Sequence, residues 1–71
     1  MSDEIRSRLE GEIDRLQVKW DKLGDERLKH INEVKMLALI EFYNGFFSES
    51  NKYREAQKDL EKRVLGYTKR D

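Results

Sequence analysis

Seventy-one residues, 42% charged and 37% hydrophobic, allow one structural unit at most, and a core of that size is marginal unless disulfides, metal or a partner chain add to it. There is no Cys, and Lys+Arg and Asp+Glu balance at 15 each. Disulfides and thiolate metal sites are thereby excluded, and no global field drives the chain onto nucleic acid.

Proline, which costs about 3 kcal/mol inside a helix, is absent, and four glycines are the only strong punctuation. With the Glu, Lys, Leu and Arg content, this predicts an all-α chain, residues 1–71 forming a single helical unit. Ser2 is a candidate N-cap, with Asp3 and Glu4 on the positive end of the helix dipole. Ser7 to Glu10 is an alternative capping box. The acidic start lacks the basic-then-apolar order of a signal peptide, and no apolar run approaches the ~20 residues that span a bilayer. A cytoplasmic protein is expected, with a peripheral membrane position as a variant.

Leu9, Ile13, Leu16, Trp20 and Leu23 follow spacings of 4, 3, 4 and 3, a heptad stripe. Trp20 is expected to be less deeply covered than the central aromatics. Past Gly24-Asp25 the register shifts, and Leu28, Ile31 and Val34 open a displaced stripe. Such a shift is a coiled-coil stutter or a turn. A continuous, bent or locally unwound helix is favoured, because one Gly costs only about 1 kcal/mol.

Residues 36–47, Met-Leu-Ala-Leu-Ile-Glu-Phe-Tyr-Asn-Gly-Phe-Phe, are the one concentrated apolar segment. At 3.6 residues per turn their side chains point in nearly every direction. A helix apolar on all sides must be surrounded, and one short chain is not expected to surround it. Asn44-Gly45 is a second candidate break, with Ser48 or Ser50 able to cap a new helix. Gly45 also reads as a close helix–helix contact. Beyond it Tyr53, Ala56, Leu60, Val64 and Tyr67 resume a thin seam, with Asp59 placed to pair with Arg63. Gly66 and the residues after it read as a fraying end.

The expected architecture is therefore all-α: long helices with a bend or turn near Gly24, near Asn44-Gly45 or at both, in an antiparallel coiled-coil-like bundle formed by self-association. The assembly interface is assigned to Trp20, Met36, Leu37, Leu39, Ile40, Phe42, Tyr43, Phe46, Phe47, Tyr53 and Leu60. These aromatics could instead line a ligand pocket, but helical spacing favours an interface, where a Tyr ring is covered and its hydroxyl meets water.

Catalytic and metal sites are not expected. His30 beside Glu26 and Glu33 could be drawn as an acid–base cluster, yet no nucleophile, phosphate loop or second ligand cluster accompanies it. Nucleic-acid binding is not expected either, because Arg27, Lys29 and Lys35, and Lys58, Lys62, Arg63, Lys69 and Arg70, are interleaved with acids. No cofactor is implied.

Residues 26–56 resemble a known family. Glu-Arg-Leu-Lys-His-Ile-Asn-Glu-Val, the apolar segment ending in Phe-Phe, and Lys-Tyr-Arg-Glu-Ala together look like the last long helix of a BAR domain of the sorting-nexin or centaurin kind. The resemblance covers less than half the chain. It implies a homodimer that binds and bends anionic membranes through basic residues on a concave face, here Lys22, Arg27, Lys29 and Lys35. The chain is too short for that family's three long helices, and its balanced charge departs from strongly basic concave faces.

The function expected from these features is a non-enzymatic dimerisation and scaffolding module, whose partner is a second copy and whose BAR-like form acts at an anionic membrane. The alternative is a helical hairpin that receives a partner such as a small GTPase or a tether or motor subunit, or another helical protein.

Overall fold

The computed structural model describes residues 2–68, and the side chains of 3–66. The expected place of Tyr67 on the distal seam and the basic pair Lys69 and Arg70 lie outside the described side chains. Among the described residues there are three helices and no strand: α1 (Ser2–Lys22), α2 (Glu26–Phe46) and α3 (Arg54–Thr68).

The chain turns at Gly24 and does not run through as one bent helix. Asp25 sets the restart: its backbone is extended at φ −84° and ψ 125°, and Oδ1 accepts from Arg27 N–H at 2.8 Å and Leu28 N–H at 3.3 Å. Two of the four unpaired donors at the start of α2 are thus satisfied. No described glycine has a positive φ, so the cap rather than a left-handed glycine makes this turn. The reading of Gly24 as a tolerated interior residue overlooked the acceptor that follows it.

The second break falls just past Asn44-Gly45. α2 ends at Phe46, with the Phe47 N–H bonded to the Tyr43 carbonyl at 2.7 Å. In the 47–53 connection Ser50 Oγ accepts from Lys52 N–H at 3.2 Å, and α3 then begins at Arg54. Gly66 lies inside α3, which continues to Thr68.

α2 is the central element, packed against α1 on one flank and α3 on the other. Its cross-helix bonds run from Asn32 to Leu16 and from Tyr43 to Glu10, so α1 and α2 are antiparallel. Pairs from Asn44 to Gln57 and from Glu33 to Arg63 make α2 and α3 antiparallel as well.

The core is Ile13 of α1, Met36, Leu37, Ile40 and Tyr43 of α2, and Tyr53 and Leu60 at and beyond the start of α3. Leu9, Leu16 and Trp20 pack around it from α1, and Ala56 and Val64 from α3. The first heptad stripe and the distal seam therefore both face α2. Burying each large side chain is worth about 1.5–3 kcal/mol, and the two seams supply that cover from within one chain.

This corrects the expectation that a single chain cannot enclose residues 36–47. Met36, Leu37, Ile40 and Tyr43 are enclosed by the chain's own α1 and α3, and Tyr43 is 0% exposed. The outer half of the segment is not: Phe42 is 57% exposed and Phe46 59%.

Candidate functional site: the outer face of α2

A helix flanked by two others in one small bundle keeps a third side towards solvent. On α2 that side carries Leu28, Ile31, Val34, Phe42 and Phe46, all exposed. The displaced stripe that starts at Leu28 is thus neither a stutter nor a core seam but the beginning of this outer face. Lys35, Ala38, Glu41 and Gly45 are exposed among the same residues. Nothing lies within 4 Å of where a Cβ on Gly45 would sit. The expected close helix contact at Gly45 is therefore absent within the chain.

An aromatic chain links this face to the interior. The Phe42 and Phe46 ring centroids are 5.6 Å apart, Phe46 and Phe47 5.2 Å, Phe47 and Tyr43 5.0 Å, and Tyr43 and Tyr53 5.0 Å in an edge-to-face pair. These separations fall in the range where ring quadrupoles attract. Side chains on the exposed face are thereby backed by an ordered core.

Two polar clusters fix how α1, α2 and α3 register. In the first, the Tyr43 hydroxyl donates to Glu10 Oε2 at 2.5 Å and accepts from Arg6 Nε at 3.0 Å. Lys52 Nζ lies 3.4 Å from the other Glu10 oxygen. The Tyr43 hydrogen bond, aided by Lys52 and Arg6, holds the Glu10 carboxyl below its ordinary range. Close by, the Tyr53 hydroxyl donates to Asp14 Oδ1 at 3.2 Å. Burial, and then the Asp14 carboxylate, push the Tyr53 hydroxyl above its ordinary range.

In the second cluster Trp20 Nε1–H donates to Glu33 Oε2 at 3.0 Å, and Arg63 Nη1 reaches the same oxygen at 3.5 Å. Lys29 Nζ lies 4.3 Å and Arg63 Cζ 5.2 Å from the Trp20 ring centroid, within cation–π range. The partner expected for Arg63 was Asp59; the side chain turns instead to a buried carboxylate on another helix. Asn32, also buried, donates from Nδ2 to the Leu16 carbonyl at 2.8 Å.

Of the residues assigned to an assembly interface, Met36, Leu37, Ile40, Tyr43, Tyr53 and Leu60 are buried within one chain. Trp20, Leu39 and Phe47 are partly buried against the same core, and Phe42 and Phe46 lie outward. Trp20 is less covered than Tyr43, as expected, but better covered than Phe42 and Phe46, against the expected order. Of the four basic candidates, three lie on α2 and one on α1. Lys29 turns in to Trp20, Arg27 and Lys35 are exposed on α2, and Lys22 is in the last turn of α1.

Sequence reasoning missed Asn32, Glu33 and Glu10 as cross-helix anchors. Their signal was faint: polar residues one step off an apolar stripe are normally solvated.

No family model, no curated protein and no solved structure matches this chain. Residues 26–56, which carry the BAR-like resemblance, comprise all of α2, the 47–53 connection and the first turn of α3. Among the described residues no helix is long and apolar enough to cross a membrane, and no group of three or more His, Asp or Glu is placed to hold a metal ion.

Proposed function

We propose that this chain is a non-enzymatic self-association module, a three-helix unit that works by presenting the outer face of α2 to another copy. The observation that carries this reading is the row of exposed large side chains, Leu28, Ile31, Val34, Phe42 and Phe46, on one helix. Single exposed apolar residues need no explanation, whereas a contiguous patch marks an interaction surface. A structural rather than catalytic role is supported by the enclosed polar groups. Asn32, Glu33 and Tyr43 each bond to another helix, so their chemistry is spent on register.

Molar mass by light scattering across a wide concentration range tests the reading. The expected result is a rise from one chain, 8.6 kDa, to twice that mass. A single-chain mass up to millimolar concentration overturns self-association. It would leave standing the alternative in which the same face receives a different protein.

A further inference from the structure

We propose that the outer faces of α2 from two copies pair antiparallel about a two-fold axis between positions 36 and 37, setting Ile31 level with Phe42 of the second copy and Arg27 diagonally across from its Glu41. This rests on the self-association reading and adds the face, the direction and the register.

The spacing of the face comes first. Leu28, Ile31, Lys35, Ala38, Phe42 and Gly45 follow steps of 3, 4, 3, 4 and 3, the repeat that keeps one seam towards a partner helix. All six are exposed, and the opposite side of the same helix is filled by the chain's own core. α2 therefore carries two seams, one used inside the fold and one unfilled.

Complementarity supplies the direction. In the antiparallel arrangement every layer shares one midpoint: Leu28 lies against Gly45, Ile31 against Phe42, and Lys35 against Ala38. A long side chain meets a small one in the first and third layers, which lets the backbones approach. The open space above Gly45 is a receptor for Leu28 of the second copy.

The positions flanking the seam agree. Arg27 of each copy lies diagonally across from Glu41 of the other, about 7.5 Å along the helix axis from the level position and within reach of two long side chains. Val34 and Leu39 each approach their own counterpart with the same offset. Among the described residues neither Arg27 nor Glu41 has an ion-pair partner in its own chain. A parallel pair would stack Lys35 on Lys35, leave a void where Gly45 meets Gly45, and set Glu41 beside Phe46. Sliding the antiparallel pair by a heptad loses the Arg27–Glu41 match and uncovers part of the seam. Charge and size thus select one arrangement among those the heptad permits.

The test combines charge reversal with distance measurement on the full chain. Arg27→Glu or Glu41→Arg should each weaken the dimer about tenfold, and the double variant should recover most of that loss. Both sites are exposed, and unchanged helicity by circular dichroism shows that the fold is kept. Spin labels at Val34→Cys should lie close together across the dimer. Labels at Glu26→Cys should be about 30 Å apart, from 1.5 Å of rise per residue on each side of the axis. Short distances at both sites would mean a parallel pair and overturn the proposal, as would long distances at both or a double swap that fails to recover. In those cases the dimer persists and the self-association reading survives. A single-chain mass throughout overturns both.

Discussion

Trp20 Nε1–H donates to Glu33 Oε2 at 3.0 Å, joining the last turns of α1 to a buried position in the second turn of α2. The carboxylate also takes Arg63 from α3, so one side chain ties all three helices together at this end. An uncompensated buried charge is costly, which makes the pairing a register lock as well as a contact.

Trp20→Phe should keep most of the ring packing and remove the donor. The expected loss is about 1.5–3 kcal/mol of unfolding free energy, the usual range for a hydrogen bond to a charged group. Urea unfolding followed by circular dichroism measures it. Wild-type stability in this variant would show that Glu33 is satisfied by its remaining partners, Arg63 and His30.

At the other end, Glu10 is held ionised by Tyr43, Lys52 and Arg6. A carboxylate with a depressed folded pKa stabilises the fold above its unfolded value, and that contribution is lost as pH falls through the folded pKa. Stability should therefore decline on acidification below about pH 4.3, the ordinary value for Glu. Glu10→Gln should flatten that decline, and Tyr43→Phe, which removes the largest cause of the shift, should reduce it. Denaturant midpoints from neutral pH to pH 3 provide the comparison; parallel curves for wild type and Glu10→Gln would refute the assignment.

Tyr53 predicts the opposite limb. Its raised folded pKa keeps the hydroxyl neutral in the fold, so the unfolded chain ionises first as pH rises past about 10. The fold should lose stability there, and Tyr53→Phe should lose less. Absorbance titration of the tyrosinates, alongside thermal melts at alkaline pH, reads both effects.

The inner and outer sides of α2 should separate in one mutant series. Ile40→Ala empties a fully enclosed site and should cost about 2–5 kcal/mol of folding stability. Leu60→Ala, also buried, should behave in the same way. Phe42→Ala and Phe46→Ala should change the stability of the single chain by less than about 1 kcal/mol and weaken association instead, because their exposed surface has little folding energy to lose. Unfolding curves and dissociation constants measured on the same four proteins decide this. A large folding loss in Phe46→Ala with unchanged association would reverse the assignment of the two faces.

Asp25→Ala should cost about 1 kcal/mol by stripping the cap from α2. Asp25→Asn should cost less, since the amide oxygen can still accept from the Arg27 and Leu28 N–H groups. Hydrogen exchange at those two amides localises the effect.

The sequence by itself determined the all-α character, the inward stripe of α1 from Leu9 to Trp20 and the inward seam that runs from Tyr53 into α3 as far as Val64. Each is a periodic pattern, and periodicity is a local property that the helix pitch converts directly into a face. The neighbourhoods of both breaks were also legible, at Gly24-Asp25 and just beyond Asn44-Gly45, because caps and turn residues act over a few positions.

Only the tertiary structure decided how the apolar sides of α2 are divided. Residues 36–47 look equally hydrophobic all round, and nothing local tells Tyr43, fully enclosed, from Phe42 one position before it, more than half exposed. That difference arises when α1 and α3 pack against the two flanks of α2 and leave a third side uncovered. The same long-range packing turned Arg63 to Glu33, and brought Glu10 within reach of Tyr43 across a separation of 33 residues. A contact between distant parts of the chain depends on three-dimensional closure, and helical spacing along one segment carries no record of it.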